Sequence, residues 1–438
     1  MNHAASIQFG QLVEIHWKFK SAEQAQRLAT SGFDFILLNE ADKQCVRDNI
    51  MDAVLAQVQN KPIQKQFIRS LKMICIHDYP EKLPNLFPQC LAFLQKNEQL
   101  AVYAGLQGLF ALAARYEFEL DEDREPLHKI IQESFSVLGT LVNDMINNKE
   151  NVDALYMLHL ICKVFYVSNQ LQMSPYLMEG NNLQPWIQFL KTIMDMPCPP
   201  ELSAPATLTE EIVKRDKSIF WKIKGIAAKI TYRIFVKYGN PATVEEKVAI
   251  QTFSSNFALN FSIPLLESHL QLMFERKDKF VGSKALSFCI KFTSAATKQE
   301  NTMDKLKPFV ENILYDTVIP IMFITEKDMS TFANDPVEYI RNLYDFTETL
   351  FQPKNTVQDL LVYLCRYSSQ KKQKKKGKSK RGKPDYLHPF LAFAVKNLTE
   401  YNIKIASGEG ADFRIKEAIL YAIGTLKDEI WGEKDLKS

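Results

Sequence analysis

The chain has 438 residues, a formal net charge of +3 and only 15 glycines. Open sheets and phosphate-binding loops use many glycines, so the low glycine content favours helices joined by short polar or proline turns. The sequence shows neither an N-terminal apolar signal segment nor an uncharged apolar run of about 20 residues, so we expect a location in the cytosol or the nucleus.

Apolar residues recur at helical spacing along the chain. The first clear stripe is Val46, Ile50, Ala53 and Val54, with Asn39 predicted as the N-cap of its helix. Later stripes are Val102, Leu106, Leu109, Phe110 and Ala113; Leu155, Leu158, Cys162 and Phe165; and Ile415, Ala418, Ile419, Ala422, Ile423, Leu426 and Ile430.

Prolines and turn residues separate these stripes into about fifteen helices of ordinary length. The predicted turns lie at Tyr79-Pro80, Asp121–Pro126, Gly239–Pro241, Pro320 and Asp335-Pro336. Helix pairs recur at about 40 to 47 residues, the period of HEAT repeats. Since stacking buries each stripe against its neighbours, the predicted fold class is all-α, a HEAT-repeat α-α superhelix (solenoid).

Two segments interrupt the helical pattern. Residues 197–217 begin proline-rich and end charged, which predicts a long surface loop. Residues 371–384 are low in complexity and cannot bury apolar area, which predicts disorder. We therefore expect N-terminal HEAT repeats in 1–116, central repeats in 117–370, the basic insert in 371–384, and further HEAT helices in 385–438.

The basic insert explains the positive net charge. Lys371–Lys383 contains nine basic residues and no acidic ones, so the rest of the chain carries a charge of −6. The basic residues are Lys371, Lys372, Lys374, Lys375, Lys376, Lys378, Lys380, Arg381 and Lys383. Three interpretations remain open: a solvated loop, a localisation-type or cargo-mimicking segment, and a nucleic-acid contact. The nearest aromatics, Tyr367 and Tyr386, lie outside the insert, which disfavours base stacking.

No arrangement of residues in the sequence predicts catalysis or metal binding. The seven cysteines are far apart without a CxxC pair, a usage typical of a reducing compartment. His77-Asp78 lacks a nucleophile and a third group, so a structural role is expected, and Gly408–Gly410 is interpreted as a helix-entry turn. Trp17, Trp186 and Trp221 are predicted to be core residues. We expect no enzyme activity, no cofactor and no metal.

Six ordered segments resemble the importin-beta superfamily of nuclear transport receptors, specifically the branch of importins seven and eight. They are Ala4–Trp17, Cys45–Ile50, His77–Pro88, Phe220–Pro241, Asp335–Arg341 and Arg414–Gly424. Leu83 stands where the family usually has a tryptophan. The resemblance corresponds to the N-terminal part of such receptors, so we expect that the first helix of the first repeat is missing and that the chain ends within the solenoid.

The resemblance implies nucleocytoplasmic import of protein cargo. Its expected partners are the GTP form of the GTPase Ran, phenylalanine-glycine (FG) nucleoporins and basic protein cargo, at the nuclear pore and in the cytoplasm and nucleus. The family places Ran on the first repeats, which here contain Arg47, Asp48, Lys65, Arg69 and Asp78. Membrane insertion and nucleic-acid binding are not expected. Two alternatives stay open: a HEAT scaffold without a transport role, and an RNA- or ribosome-associated module that uses the basic insert.

Overall fold

A computed structural model describes residues 3–18, 36–96, 98–148, 150–205, 209–344, 352–369, 373–375, 378–380 and 382–436. Nearly all of these residues that belong to regular elements are helical, which confirms the all-α prediction. The chain folds into two compact units, Met1–Trp186 and Ile187–Ser438. The boundaries predicted from the sequence stay predictions.

The first unit is a two-layered stack of helical hairpins. Its helices are α1 (His3–His16), α2 (Glu40–Ala56), α3 (Lys61–Asp78), α4 (Leu86–Leu94), α5 (Gln99–Arg115), α6 (Glu125–Asn147), α7 (Val152–Asn169) and α8 (Pro175–Met178), with a 3₁₀ turn at Asp121–Asp123. Helices α1, α3, α5 and α7 pack side by side in one layer, and α2, α4 and α6 cover them on the other side. Such pairing of consecutive antiparallel helices is typical of HEAT repeats.

Local sequence signals explain how these helices begin and pack. The side chain of Asn39 accepts a hydrogen bond from the backbone N–H of Ala41, so the predicted N-cap of α2 is confirmed. Helix α5 approaches α4 closely because two of its residues are glycines. A Cβ on Gly108 would lie 2.4 Å from Cys90 Sγ, and one on Gly105 would lie 2.9 Å from the Cys90 carbonyl oxygen.

The second unit is also built from packed helices. They are α9 (Gln184–Asp195, which begins in the first unit), α10 (Pro200–Ser203), α11 (Thr209–Asp216), α12 (Ile219–Tyr238), α13 (Val248–Asn260), α14 (Ser262–Glu275), α15 (Ser283–Ala296), α16 (Glu300–Leu306), α17 (Val310–Asn312), α18 (Ile319–Met322), α19 (Glu326–Asn334), α20 (Pro336–Tyr344), α21 (Pro353–Arg366), α22 (Leu387–Ala406), α23 (Phe413–Thr425) and α24 (Lys427–Gly432). Three-residue 3₁₀ turns lie at Pro241–Thr243, Lys307–Phe309 and Lys434–Leu436. Helices α12, α15 and α21 form a central row, against which α14 and α22 pack.

The structure differs from the sequence expectations at two places. Residues 197–217 are not a plain loop, because they contain α10 and α11. Pro320 does not end a helix: it lies in α18, directly after the π-helical segment Ile313–Val318. Two three-residue strands, β1 (Gln373–Lys375) and β2 (Lys378–Lys380), pair antiparallel within the basic insert. The predicted disorder of the insert stays a prediction.

Candidate protein-binding surfaces

A buried polar cluster around Trp17 joins the first three helices. Asp78 Oδ2 accepts one hydrogen bond from Trp17 Nε1 and one from Arg47 Nε, each 2.8 Å long. Lys43 Nζ donates to the Trp17 carbonyl oxygen at 2.9 Å, and Arg47 Nη2 also pairs with Glu40 at 2.8 Å. Trp17, Arg47 and Asp78 are all buried. The structural role expected for Asp78 is thereby confirmed, and burial leaves Arg47 and Asp78 with little surface to offer to a partner.

The other predicted GTPase-binding residues lie on exposed surface of the first unit. Asp48 of α2 accepts a hydrogen bond from Gln44 one turn earlier at 2.8 Å. Lys65 and Arg69 lie one turn apart on α3, and Arg69 forms an ion pair with Glu14 of α1 at 2.6 Å. The role of all five residues in binding a GTPase stays a prediction.

Three neighbouring helices of the first unit carry a continuous surface of cationic and aromatic side chains, which we call the basic–aromatic face. Its members are Lys61, Lys65, Arg69 and Lys72 on α3, Tyr103 and Phe110 on α5, and Tyr156, Lys163 and Tyr166 on α7. All of them are exposed or half-buried. Spacings of three, four or seven residues, which correspond to about one or two helical turns, place each set on one side of its helix.

Cation–π contacts connect the three helices of this face. Lys72 Nζ lies 3.8 Å from the ring centroid of Phe110, and Lys163 Nζ lies 5.6 Å from the same centroid. Lys61 Nζ lies 4.0 Å from the ring centroid of Tyr156. A ring holds ammonium groups through its quadrupole, each contact contributing about 0.5 to 1 kcal/mol at exposed sites. Phe110 therefore brings two positive charges from different helices to one place.

The electrostatics of Lys72 reflect this crowding. Burial lowers the pKa of Lys72, and the positive charge of Lys163 lowers it further, while Glu117 opposes both effects. Sequence reasoning missed Lys72 and Lys163, and it assigned Phe110 only to an apolar stripe. The signal that was available is the run Lys61, Lys65, Arg69 and Lys72 along one side of α3.

The second unit contains a shallow cleft with two aromatic rings. The cleft has a volume of about 310 Å³ and is lined by Phe274, Lys277, Phe309, Asn312, Asp316 and Thr317. The rings of Phe274 and Phe309 are 6.1 Å apart, and Phe309 is 43% exposed. Lys277 and Asp316 form an ion pair at 3.5 Å. The cleft thus offers apolar surface beside charged groups, at the small end of the usual range of ligand pockets.

The residues that flank the basic insert, 367–369 before it and 385–386 after it, contact each other. Asp385 N donates to the Tyr367 carbonyl oxygen at 2.9 Å, Ser369 N donates to the Asp385 carboxylate at 2.9 Å, and the rings of Tyr367 and Tyr386 stack with centroids 6.1 Å apart. Lys374 and Lys375 lie on β1, Lys378 and Lys380 on β2, and Lys383 follows them, whereas Lys371, Lys372, Lys376 and Arg381 lie outside the described residues. The residues at the two ends of the insert therefore contact each other.

The described residues contain no group of three His, Cys, Asp or Glu side chains that could hold a metal ion. None of the described helices combines the length and the apolar character that a membrane crossing needs. Trp17, Trp186 and Trp221 are buried, which confirms their assignment to the core.

Comparison with known proteins extends over the whole chain. It is 28% identical over 441 residues to the importin beta-like SAD2 homolog of Arabidopsis thaliana, an alignment that covers 100% of this chain and 39% of that protein. It is 24% identical over 429 residues to importin-8 of Homo sapiens, covering 98% of this chain and 38% of that protein. The chain therefore spans about two fifths of the length of the relatives it matches.

A solved structure shares the fold. The exportin Cse1 in its cargo-free, cytoplasmic state matches with a TM-score of 0.69 at 14% sequence identity, covering 97% of this chain and 41% of that chain. No protein-family model matches. The structural match confirms the all-α, HEAT-repeat fold class expected from the sequence.

Proposed function

The chain resembles the importin-beta superfamily along its whole length, and from this premise we propose that it is a nuclear transport receptor of the karyopherin type. The observation that carries the proposal is the alignment of all of this chain with an importin beta-like protein, supported by the fold shared with an exportin. Such a receptor binds proteins and catalyses no reaction. It would move between the cytoplasm and the nucleus through the nuclear pore.

We place the GTP form of Ran on the exposed parts of α2 and α3 that carry Asp48, Lys65 and Arg69. The two cations and the acid lie on adjacent helices of the first unit and are open to solvent. Arg47 and Asp78 would support this surface indirectly, because their buried ion pair fixes α2 against α3. Discrimination between two nucleotide states needs about 5 kcal/mol for a near-complete switch, so further contacts must contribute.

The cleft between Phe274 and Phe309 is the candidate site for FG nucleoporins. A phenylalanine side chain inserted between two rings gains buried apolar area and an edge or offset contact worth about 0.5 to 1.5 kcal/mol. The ion pair of Lys277 with Asp316 provides polar groups for the peptide backbone of the repeat. Basic cargo is expected to be attracted by the net charge of −6 outside the insert.

The decisive experiment is a pull-down of the full chain with Ran loaded with GTP or GDP. We expect capture by the GTP form, a clear loss in the Lys65→Glu/Arg69→Glu variant, and no loss in Lys396→Glu/Lys404→Glu, which makes the same charge change on exposed residues of α22. Equal capture by both nucleotide forms, or no capture by either, would contradict a transport role and leave a HEAT scaffold as the better interpretation.

A second experiment addresses nucleoporin binding. An immobilised peptide of FG repeats should retain the wild-type chain and release the Phe309→Ser variant. Phe118→Ser is the matched control, because Phe118 is 78% exposed and is not one of the residues that line the cleft. If both variants are retained equally, the cleft is not the site.

A further inference from the structure

The basic–aromatic face brings two like charges together over a single ring. Lys72 of α3 and Lys163 of α7 both lie over the ring of Phe110 of α5. We infer that this face binds an acidic polypeptide segment, a run of Asp and Glu side chains that lies along α3 and places carboxylates beside Lys72 and Lys163. The inference does not depend on the proposed transport role.

The face carries a concentrated positive charge. Lys61, Lys65, Arg69, Lys72 and Lys163 bring five cations to one surface. Acidic residues also lie at this face: Glu14 pairs with Arg69, Glu117 accepts from Gln170, and Asp153 lies near Tyr103. An anion between the two ammonium groups over Phe110 would relieve their repulsion, and partial burial of Lys72 weakens the screening by water.

The row of cations on α3 has the length of a short extended peptide. Lys61 and Lys72 lie eleven residues apart on one helix, which corresponds to about 16 Å along the helix axis. An extended peptide covers this distance with about five residues at roughly 3.3 Å each. A short run of acidic residues is therefore long enough to engage the whole row at once.

The aromatic rings of the face favour a peptide over a nucleic acid. Single-stranded nucleic acids bind through phosphate contacts together with bases stacked on open aromatic rings. Here Phe110 and Tyr156 are already covered by ammonium groups at 3.8 and 4.0 Å. An acidic peptide fits this arrangement better, because its carboxylates pair with cations and do not need to stack on an uncovered ring.

The test uses fluorescence anisotropy with a fluorescein-labelled peptide of about eight Asp and Glu residues, since about five already span the row. The full chain is used with residues 371–383 replaced by Gly-Ser-Gly, so that the basic insert cannot capture the probe. This replacement is feasible because Ser369 and Asp385 are already hydrogen-bonded. The Lys72→Gln/Lys163→Gln variant should bind about tenfold more weakly.

Three comparisons decide the outcome. Lys396→Gln/Lys404→Gln removes the same charge from α22 and should leave binding unchanged. Lys72→Arg/Lys163→Arg keeps both charges and should bind within about threefold of the parent. Because Lys72 is half-buried, the exposed pair Lys61→Gln/Lys65→Gln provides a second test that does not disturb packing, with an expected loss of about threefold or more.

Unchanged peptide binding in both glutamine variants of the face would overturn the inference. So would an oligouridylate of similar length that binds more tightly than the peptide and loses its affinity in the same variants, because the face would then be a nucleic-acid surface. If the chain captures Ran-GTP but the glutamine variants bind the peptide as tightly as the parent, the result contradicts the acidic-segment inference and leaves the proposed transport role unaffected.

Discussion

The Trp17 cluster allows a quantitative prediction about the first unit. The side chains of Arg47 and Asp78 are only 2% and 8% exposed. Asp78→Ala removes both the counter-ion of Arg47 and the acceptor of the Trp17 indole. Breaking a buried ion pair by removing one partner typically costs about 3 to 5 kcal/mol, because the remaining charge is left without compensation.

The expected cost lies near the lower limit of that range. Glu40 still accepts from Arg47 Nη2, although its side chain is 59% exposed and screened by water. We therefore expect about 3 kcal/mol, which corresponds to a fall in Tm of roughly 6 to 12 °C for a unit of this size. Arg47→Met/Asp78→Leu should recover part of the loss, because an apolar pair needs no compensation.

The measurement combines thermal unfolding by circular dichroism with hydrogen exchange of peptides from α1, α2 and α3. Faster exchange in these helices would locate the loss of stability in the first unit. Asp48→Ala is the matched control, since Asp48 is exposed on α2 and should change stability by less than about 0.5 kcal/mol. An Asp78→Ala variant within about 1 kcal/mol of wild type would refute the assigned role.

Three further predictions concern other parts of the chain. Burial lowers the pKa of His269 to about 4 from an ordinary value of 6.5, so the unfolded state takes up the proton first as the pH falls. In urea unfolding, His269 should therefore lower the stability by about 2 kcal/mol at pH 5 relative to pH 7, and H269Q should remove this contribution. Replacing residues 371–383 by Gly-Ser-Gly should change the Tm by less than about 2 °C, because the base of the insert is already closed, and trypsin should cut the wild type there first. Gly108→Ala should destabilise by about 1 to 3 kcal/mol through its clash with Cys90, whereas Gly139→Ala, which meets no neighbour, should be neutral or stabilising; equal effects in thermal unfolding would contradict this packing.

Sequence periodicity predicts the helices because the apolar residues of one helix recur at a spacing that is visible within a single short segment of the sequence. The N-cap Asn39 and the core tryptophans follow from local or single-residue rules, and both predictions are confirmed. The sequence predicts a loop at 197–217 because prolines usually interrupt helices. Pro200 instead occupies the first turn of α10, where a missing N–H costs nothing.

The contacts that define the candidate surfaces could not be predicted from the sequence in the same way. Arg47 and Asp78 are 31 residues apart, and charged residues are usually exposed, so sequence reasoning places them on the surface. The approach of Lys72 and Lys163 to Phe110 depends on how α3, α5 and α7 are shifted along one another. That shift is set by side-chain packing between layers, which no single-helix pattern specifies.

The negative net charge of the chain outside the insert does not predict the ligand of the basic–aromatic face. Outside the insert the chain carries −6, which favours basic ligands at long range. At physiological salt, however, charges further apart than about 8 Å are largely screened. A ligand at the basic–aromatic face is therefore governed by the five cations near it and not by acids elsewhere on the molecule. Basic cargo and an acidic segment can thus be bound by different surfaces of the same chain without conflict.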